Sequence, residues 1–225
     1  MDLGSYACVT RPVRIMMADL QRTGREFINP IGGTDTWDAA CGVGRRIVHG
    51  ERMSVEEFGK AFVAGFLNPW RCRFPRSRAK GLRDALVECA PLVSKAPAHV
   101  VEIRPAHLNP LGQAFERLLL EEHVGGTTAS KALSALAPTV VVMWDAAIAS
   151  HYGFSQNAVG YSRFLWLMAQ TARELCEHEI GRSDSDAAAA VEAQATPPER
   201  GKPVPLAKLL DEWNWVRISN RAAEQ

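Results

Sequence analysis

Residues Leu118 to Tyr152 read LLLEEHVGGTTASKALSALAPTVVVMWDAAIASHY, and the succession of local signals in this stretch decides the fold class. Gly112 to Glu122 carries Phe115, Leu118, Leu119 and Leu120 at helical spacing, which predicts a central packing helix. His123-Val124-Gly125-Gly126 then supplies the glycines that a tight reversal needs. Beyond the turn, Ala129, Ala132, Leu133 and Leu136 recur with helical period until Ala137-Pro138 closes the segment. Thr139 to Trp144 is apolar, β-branched and too short for a helix, and it delivers the chain to Asp145. Aspartate is a favoured N-cap, so a further helix is expected from Ala146 to about Tyr152. This order predicts an all-α fold with irregular loops and little or no sheet.

The flanks are consistent with that class. Arg11 to Phe27 carries Val13, Met16, Met17 and Leu20 at helical spacing and ends at Asn29-Pro30-Ile31-Gly32-Gly33. A turn-rich loop is expected to continue through Thr34 to Asp38 and the Gly42-x-Gly44 pair. Ser54-Val55-Glu56-Glu57 is a capping-box start, and Phe58, Phe62 and Phe66 follow as a core-facing stripe. Helices are also expected from about Gly81 to Val93 and from Ser162 to Glu179. Gly181 to Pro205 is rich in Ser, Asp, Ala, Pro and Gly and reads as a flexible linker or insertion. Leu206, Leu209, Leu210, Trp213 and Trp215 mark a C-terminal amphipathic helix that docks back. The expected organisation is a body over 1–180, a linker over 181–205, and the docking helix within 206–225.

Composition limits the functional classes. The chain has 225 residues, 47% of them hydrophobic, with a formal net charge of +1, so bulk charge neither supports nor excludes a nucleic-acid partner. Locally the picture differs: Arg71, Arg73, Arg76, Arg78 and Lys80 fall within ten residues and are interleaved with Trp70 and Phe74. Such a run suits phosphate contact and base stacking, and equally an ordinary solvated face. Cys8, Cys41, Cys72, Cys89 and Cys176 are odd in number and scattered, which suggests reduced thiols in a cytoplasm. No close ligand pairs for zinc and no run for an iron-sulfur cluster are present, so neither metal nor cofactor is expected. The opening Met-Asp-Leu-Gly-Ser-Tyr lacks a secretory pattern, and no apolar window reaches membrane-spanning length.

The stretch quoted above resembles the helix-hairpin-helix DNA glycosylase superfamily, in particular its 8-oxoguanine glycosylase-like branch. Val124-Gly125-Gly126-Thr127-Thr128-Ala129-Ser130-Lys131 matches the hairpin and helix start, and Val142-Met143-Trp144-Asp145-Ala146-Ala147-Ile148 matches the segment bearing the catalytic aspartate. The match covers about 35 residues. It implies that the hairpin residues Val124, Gly125, Gly126, Thr127 and Thr128, with Lys131, bind DNA, because backbone N–H groups at a helix start hold a phosphate. It also implies that Asp145 is the catalytic carboxylate. Two departures matter. The family separates its two glycines by one apolar residue, whereas Gly125 and Gly126 are adjacent and His123 stands at the first glycine's place. The bifunctional branch has a lysine nucleophile just after the hairpin, where this chain has Thr127 or Thr128, with Lys131 about one turn later.

Without that amine, covalent attack and strand cleavage are not expected, and hydrolysis of the N-glycosidic bond remains. The resemblance thus implies a monofunctional glycosylase that flips out a modified base, in DNA repair or in defence against phage DNA with modified bases. The excised base stays open. Candidates for the base pocket are Asp35, Trp37, Asn68, Trp70, Tyr161 and Trp213, and Arg71, Arg73, Arg76, Arg78 and Lys80 would contact phosphates. DNA is the expected partner, and a monomer the expected state. Two other readings stand beside this one: a non-catalytic helical DNA-binding or protein-interaction module in which Asp145 only caps its helix, and an unrelated helical enzyme using His123 or His151.

Overall fold

The structure, a computed structural model, describes residues 12–27 and 36–219. Among these the chain is helix and irregular connection, with no strand. The two helices around the hairpin are central: α5 spans Pro105–Leu119 and α6 spans Gly126–Leu136. α5 begins earlier than the apolar spacing suggests, because Pro105 at its first turn is pre-set for helical φ. It lies between α4 (Ala79–Val93) and α8 (Ala158–Ile180), burying Leu108, Leu111, Phe115 and Leu118. Burying each such side chain contributes roughly 1.5–3 kcal/mol.

The N-terminal helix α1 covers only Met17–Glu26. The chain before it is extended along α8, where the Val13 N–H donates to Thr171 Oγ1 at 3.2 Å and the Met17 N–H to Glu179 Oε1 at 3.0 Å. Those hydrogen bonds to α8 satisfy backbone groups that a longer helix would have paired internally.

Where turn residues predict a loop, Thr36–Val48 is a helix, α2. The glycines explain the difference. Gly44 lies so close to the backbone of Ala135 in α6 that a Cβ there would overlap the Ala135 carbonyl, whereas Gly42 faces open space. Gly44 therefore serves helix-helix approach rather than a turn. α3, Val55–Phe58, starts as its sequence predicts, with Ser54 Oγ accepting from the Glu57 N–H at 3.0 Å. It then widens into a π-helix over Gly59–Leu67, and the Phe58, Phe62, Phe66 stripe is fully buried with successive ring centroids 5.0 and 5.5 Å apart.

The stretch read as a flexible linker contains a packed helix, α9, over Ser185–Ala195. Asp184 caps it by accepting the Ala187 N–H at 2.9 Å, and Ala187, Ala188, Val191 and Ala195 are buried against α1 and α8. Small side chains let it lie close to its neighbours, so a composition typical of linkers here makes a contact surface. The C-terminal helix α10, Leu206–Asn214, docks as expected and is buried along its whole length, continuing as a π-helical turn over Trp215–Ser219 that packs on α7 (Ala146–His151).

Candidate functional site

Asp145 stands at the head of α7, half-exposed, with its Oδ1 accepting the Ile148 N–H at 2.9 Å. The cap uses one carboxylate oxygen, and Oδ2 makes no hydrogen bond among the described residues. The residues before it, Val140 to Trp144, are all buried, so the aspartate is carried on a rigid support. Ser130 of α6 fixes that support: its Oγ accepts the Trp144 N–H at 3.2 Å and donates to the Trp144 carbonyl at 3.0 Å. Trp144 itself packs among Phe115, Tyr161 and Phe164, with centroids 6.1, 5.1 and 5.2 Å away. Position 130 carried no functional signal in the sequence, because a serine in a helix announces nothing until the segment it bonds is known.

The hairpin joins α5 to α6 with an unusual backbone. His123 is left-handed at φ 67°, a conformation that costs an L-residue roughly 1–2 kcal/mol and that glycine adopts freely. Val124 is buried and Gly125 is the exposed N-cap of α6. No side chain caps this end, and the N–H groups of Gly126, Thr127 and Thr128 have no intrahelical acceptor. They carry the partial positive charge of a helix start, with Gly125 exposed and Thr127 half-exposed there while Gly126 and Thr128 are buried. Gln156, an exposed residue on the loop after α7, lies against Gly126, and its Oε1 would stand 2.8 Å from a Cβ built there, a proximity the sequence reading missed.

α6 is buried on all sides but one. Among its residues only Thr127 and Lys131 are partly exposed, and their spacing of four places them on one face. Lys131 Nζ donates to the Trp70 carbonyl at 2.7 Å and sits 5.4 Å from the Trp70 ring centroid. That links α6 to the basic loop. Cys72, two residues further, has its thiol against Thr128, and burial pushes its pKa up, so it stays a neutral thiol. At the other end of the basic segment Arg78 bonds Glu122 of the hairpin at 2.6 Å. The hairpin and the basic segment, expected separately to meet phosphate, are thus neighbours along one edge.

The five cations are not equivalent. Arg78 is neutralised by Glu122, and Lys80 by Asp84 at 2.8 Å. Arg71, Arg73 and Arg76 are exposed and make no ion pair among the described residues. Arg71 and Arg73 are both left-handed, at φ 62° and 51°. Asn68 closes this loop from inside: its Nδ2 donates to the Phe74 carbonyl at 3.0 Å, and its Oδ1 accepts the Phe74 N–H at 2.7 Å.

The expected base-pocket residues divide differently from the sequence reading. Asp35 lies outside the described residues. Tyr161 is a core residue, fully buried, with its hydroxyl donating to the Val142 carbonyl at 3.0 Å. Trp37 and Trp213 are also buried, and both amide groups of Asn68 are used within its own loop. Trp70 is the one half-exposed aromatic among these candidates, its indole N–H donating to Thr36 Oγ1 at 2.8 Å. It adjoins Phe27, which meets Trp215 at 5.5 Å, so these aromatics form a wall between the basic loop and α10.

Behind that wall lies an ionic cluster the sequence disguised. Lys208 Nζ sits 4.5 and 4.6 Å from the Phe27 and Trp70 centroids and bonds Asp211 at 2.9 Å, while Arg200 makes two hydrogen bonds to Glu212 at 2.8 and 3.0 Å. Burial raises the Asp211 carboxyl above its ordinary range. These residues read as the polar face of an amphipathic helix, and only the enclosure of α10 makes them interior.

Among the described residues no cluster of three His, Cys, Asp or Glu side chains fits a metal, and no helix is long and apolar enough to cross a membrane. No protein-family model, curated protein or solved structure matches the chain.

Proposed function

We propose that the chain is a monofunctional DNA glycosylase of the helix-hairpin-helix kind, with Asp145 as its catalytic carboxylate and DNA as its partner, acting as a monomer. One observation carries the reading. The uncapped N-terminus of α6 and the carboxylate at the head of α7 are coupled through α6 itself, by Ser130 on Trp144. An anion-binding turn and an acid thus sit in fixed relation, which a backbone-bound, base-extruding reaction requires. The left-handed His123 supports it further, since it stands at the place of the family's first glycine and takes a conformation that glycine adopts freely.

In the reaction, the N-glycosidic bond of an extruded nucleotide breaks with its electron pair leaving on the base. The sugar gains positive charge, which the free Oδ2 of Asp145 stabilises. Water adds to the anomeric carbon and passes a proton to the carboxylate. Thr127 cannot form the Schiff base that strand cleavage needs, and Lys131, committed to the Trp70 carbonyl, is not assigned that part. The base excised, and service in repair or in defence against modified phage DNA, are matters for the assay.

A second reading has its own observation: Asp145 already caps α7, as it would in a non-catalytic DNA-binding module. Base release from duplexes carrying diverse modified bases separates the two. Alkali-labile sites produced by wild type and absent with Asp145→Asn support the glycosylase. Equal DNA binding by both proteins, with no base released from any duplex, supports the module.

A further inference from the structure

We infer that Arg104 and Arg173, at the N-terminus of α5, form a binding site for a doubly charged phosphate group, separate from the hairpin and independent of the glycosylase reading. Two guanidinium groups converge there on the same two carbonyl oxygens. Arg173 of α8 donates from Nε to the Val101 carbonyl at 2.8 Å and from Nη2 to the Ile103 carbonyl. Arg104 donates from Nη1 to both of those oxygens, at 3.3 Å each. Arg173 is fixed further by its guanidinium carbon lying over the Trp166 ring, 5.0 Å from the centroid.

No carboxylate answers these charges. Neither arginine makes an ion pair among the described residues. Glu102, the acid nearest in sequence, is bonded instead to Ser185 Oγ and, at 3.3 Å, to the His99 N–H. Burial, and next the charge of Arg104, hold the Arg173 pKa below its usual value. α5 adds to the excess, because a helix start carries about half a positive charge. His107 supplies no negative group: its Nδ1 accepts the Arg104 N–H at 3.0 Å, which leaves the ring proton on Nε2.

Two like charges and a helix start repel one another, and an anion completes the arrangement. Arg104 keeps Nε and Nη2, and Arg173 keeps Nη1, free of hydrogen bonds among the described residues. Planar guanidinium donors match phosphate oxygens. A phosphate monoester brings a charge of about −1.5 to −2, which suits two guanidinium groups beside a helix start. A carboxylate, or the diester of a DNA backbone, brings only one negative charge and leaves an excess. With α5 about 22 Å long, the site stands at the far end of that helix from the hairpin.

The test follows thermal unfolding in inorganic phosphate, acetate or chloride at matched ionic strength and about pH 8, where phosphate is mostly dianionic. Phosphate is expected to raise the wild-type midpoint saturably, and acetate to leave it at the chloride value. Arg104→Ala is expected to weaken phosphate binding at least about tenfold, the scale of one hydrogen bond to a charged group. In chloride it should melt no lower than wild type, because it relieves the repulsion on Arg173. Arg104→Lys, which keeps the charge without the planar donors, should fall between, and Arg76→Ala at the hairpin edge should bind phosphate as wild type does. No saturable shift in wild type, or an equal response to acetate, overturns the inference. So does an Arg104→Ala protein that binds phosphate normally, or that melts lower by the same margin in chloride and in phosphate, which makes the arginine purely structural. Oligonucleotides ending in a 5′-phosphate or a 5′-hydroxyl identify the source. A preference for the phosphorylated end that Arg104→Ala removes assigns the site to nucleic-acid ends, and equal binding of both beside saturable free phosphate assigns it to a small phosphate monoester.

Discussion

The hydroxyl of Ser130 makes two hydrogen bonds to one residue, accepting the Trp144 N–H at 3.2 Å and donating to its carbonyl at 3.0 Å, and so couples the hairpin helix to the residue that precedes Asp145. Removing it strands a buried N–H, which costs about 1–3 kcal/mol. Ser130→Ala is therefore expected to lower the free energy of unfolding in urea by that scale. It should also slow base release, since Asp145 loses its fixed distance from the hairpin. A variant that unfolds normally and releases base at the wild-type rate would show that Ser130 does not position the acid.

Asp145 caps α7, and the proposed function gives it a second job that different substitutions separate from the first. Asparagine caps a helix as well as aspartate, so Asp145→Asn is expected to keep thermal stability within about 0.5 kcal/mol while abolishing turnover. Asp145→Ala loses the hydrogen bond to Ile148 as well and should cost about 1 kcal/mol. Thermal melts of both variants beside an abasic-site assay read the two effects independently.

The two glycines of α2 should respond in opposite directions. A methyl at Gly44 meets the Ala135 carbonyl, and forcing α2 away from α6 is expected to destabilise by at least about 1–3 kcal/mol. Gly42 has nothing within 4 Å of a built Cβ, so alanine there should stabilise by about 0.5–1 kcal/mol through helix propensity. Chemical denaturation of Gly44→Ala and Gly42→Ala gives the comparison directly.

Glu192 offers a pH test. Burial raises its carboxyl pKa, while the Leu206 N–H, donating to Oε1 at 2.7 Å, and His99 at 3.5 Å partly oppose that rise. A folded-state pKa above the unfolded value means that the native state binds more protons. Its contribution is thus most favourable below the ordinary carboxylate range and declines as pH rises through the raised value. Glu192→Gln keeps an acceptor for Leu206 and removes the buried charge. It is expected to gain stability relative to wild type as pH is raised from about 4 to 7, the window above the unfolded carboxylate pKa. A constant difference between the two proteins across that window would mean that Glu192 does not titrate differently on folding.

Much of the architecture could be read locally. The Ser54 cap, the phenylalanine stripe, the glycine turn, the apolar run into Asp145 and the amphipathic spacing of α10 are all set by neighbours in sequence, so their residue types and spacing suffice. The cap at Asp145 was legible because aspartate at the head of a helix is a favoured N-cap.

What the sequence could not disclose depends on contacts between distant segments. Turn-forming glycines became the contact of α2 with α6, and an alanine-rich, seemingly unanchored stretch became α9, because each gains its stability from a partner surface. The same cause removed Tyr161 from the candidate pocket and put Lys208, Asp211 and Glu212 inside, since burial belongs to the enclosure and not to the residue. Sequence by itself determined the helices and the acid at the head of one. Tertiary structure decided which loop stands beside the hairpin and which of its cations are already paired. The bonds that shape this loop around Asn68 are local, but the one that fastens it to α6, from Lys131 to the Trp70 carbonyl, joins segments far apart in sequence, and no local pattern of residues encodes it.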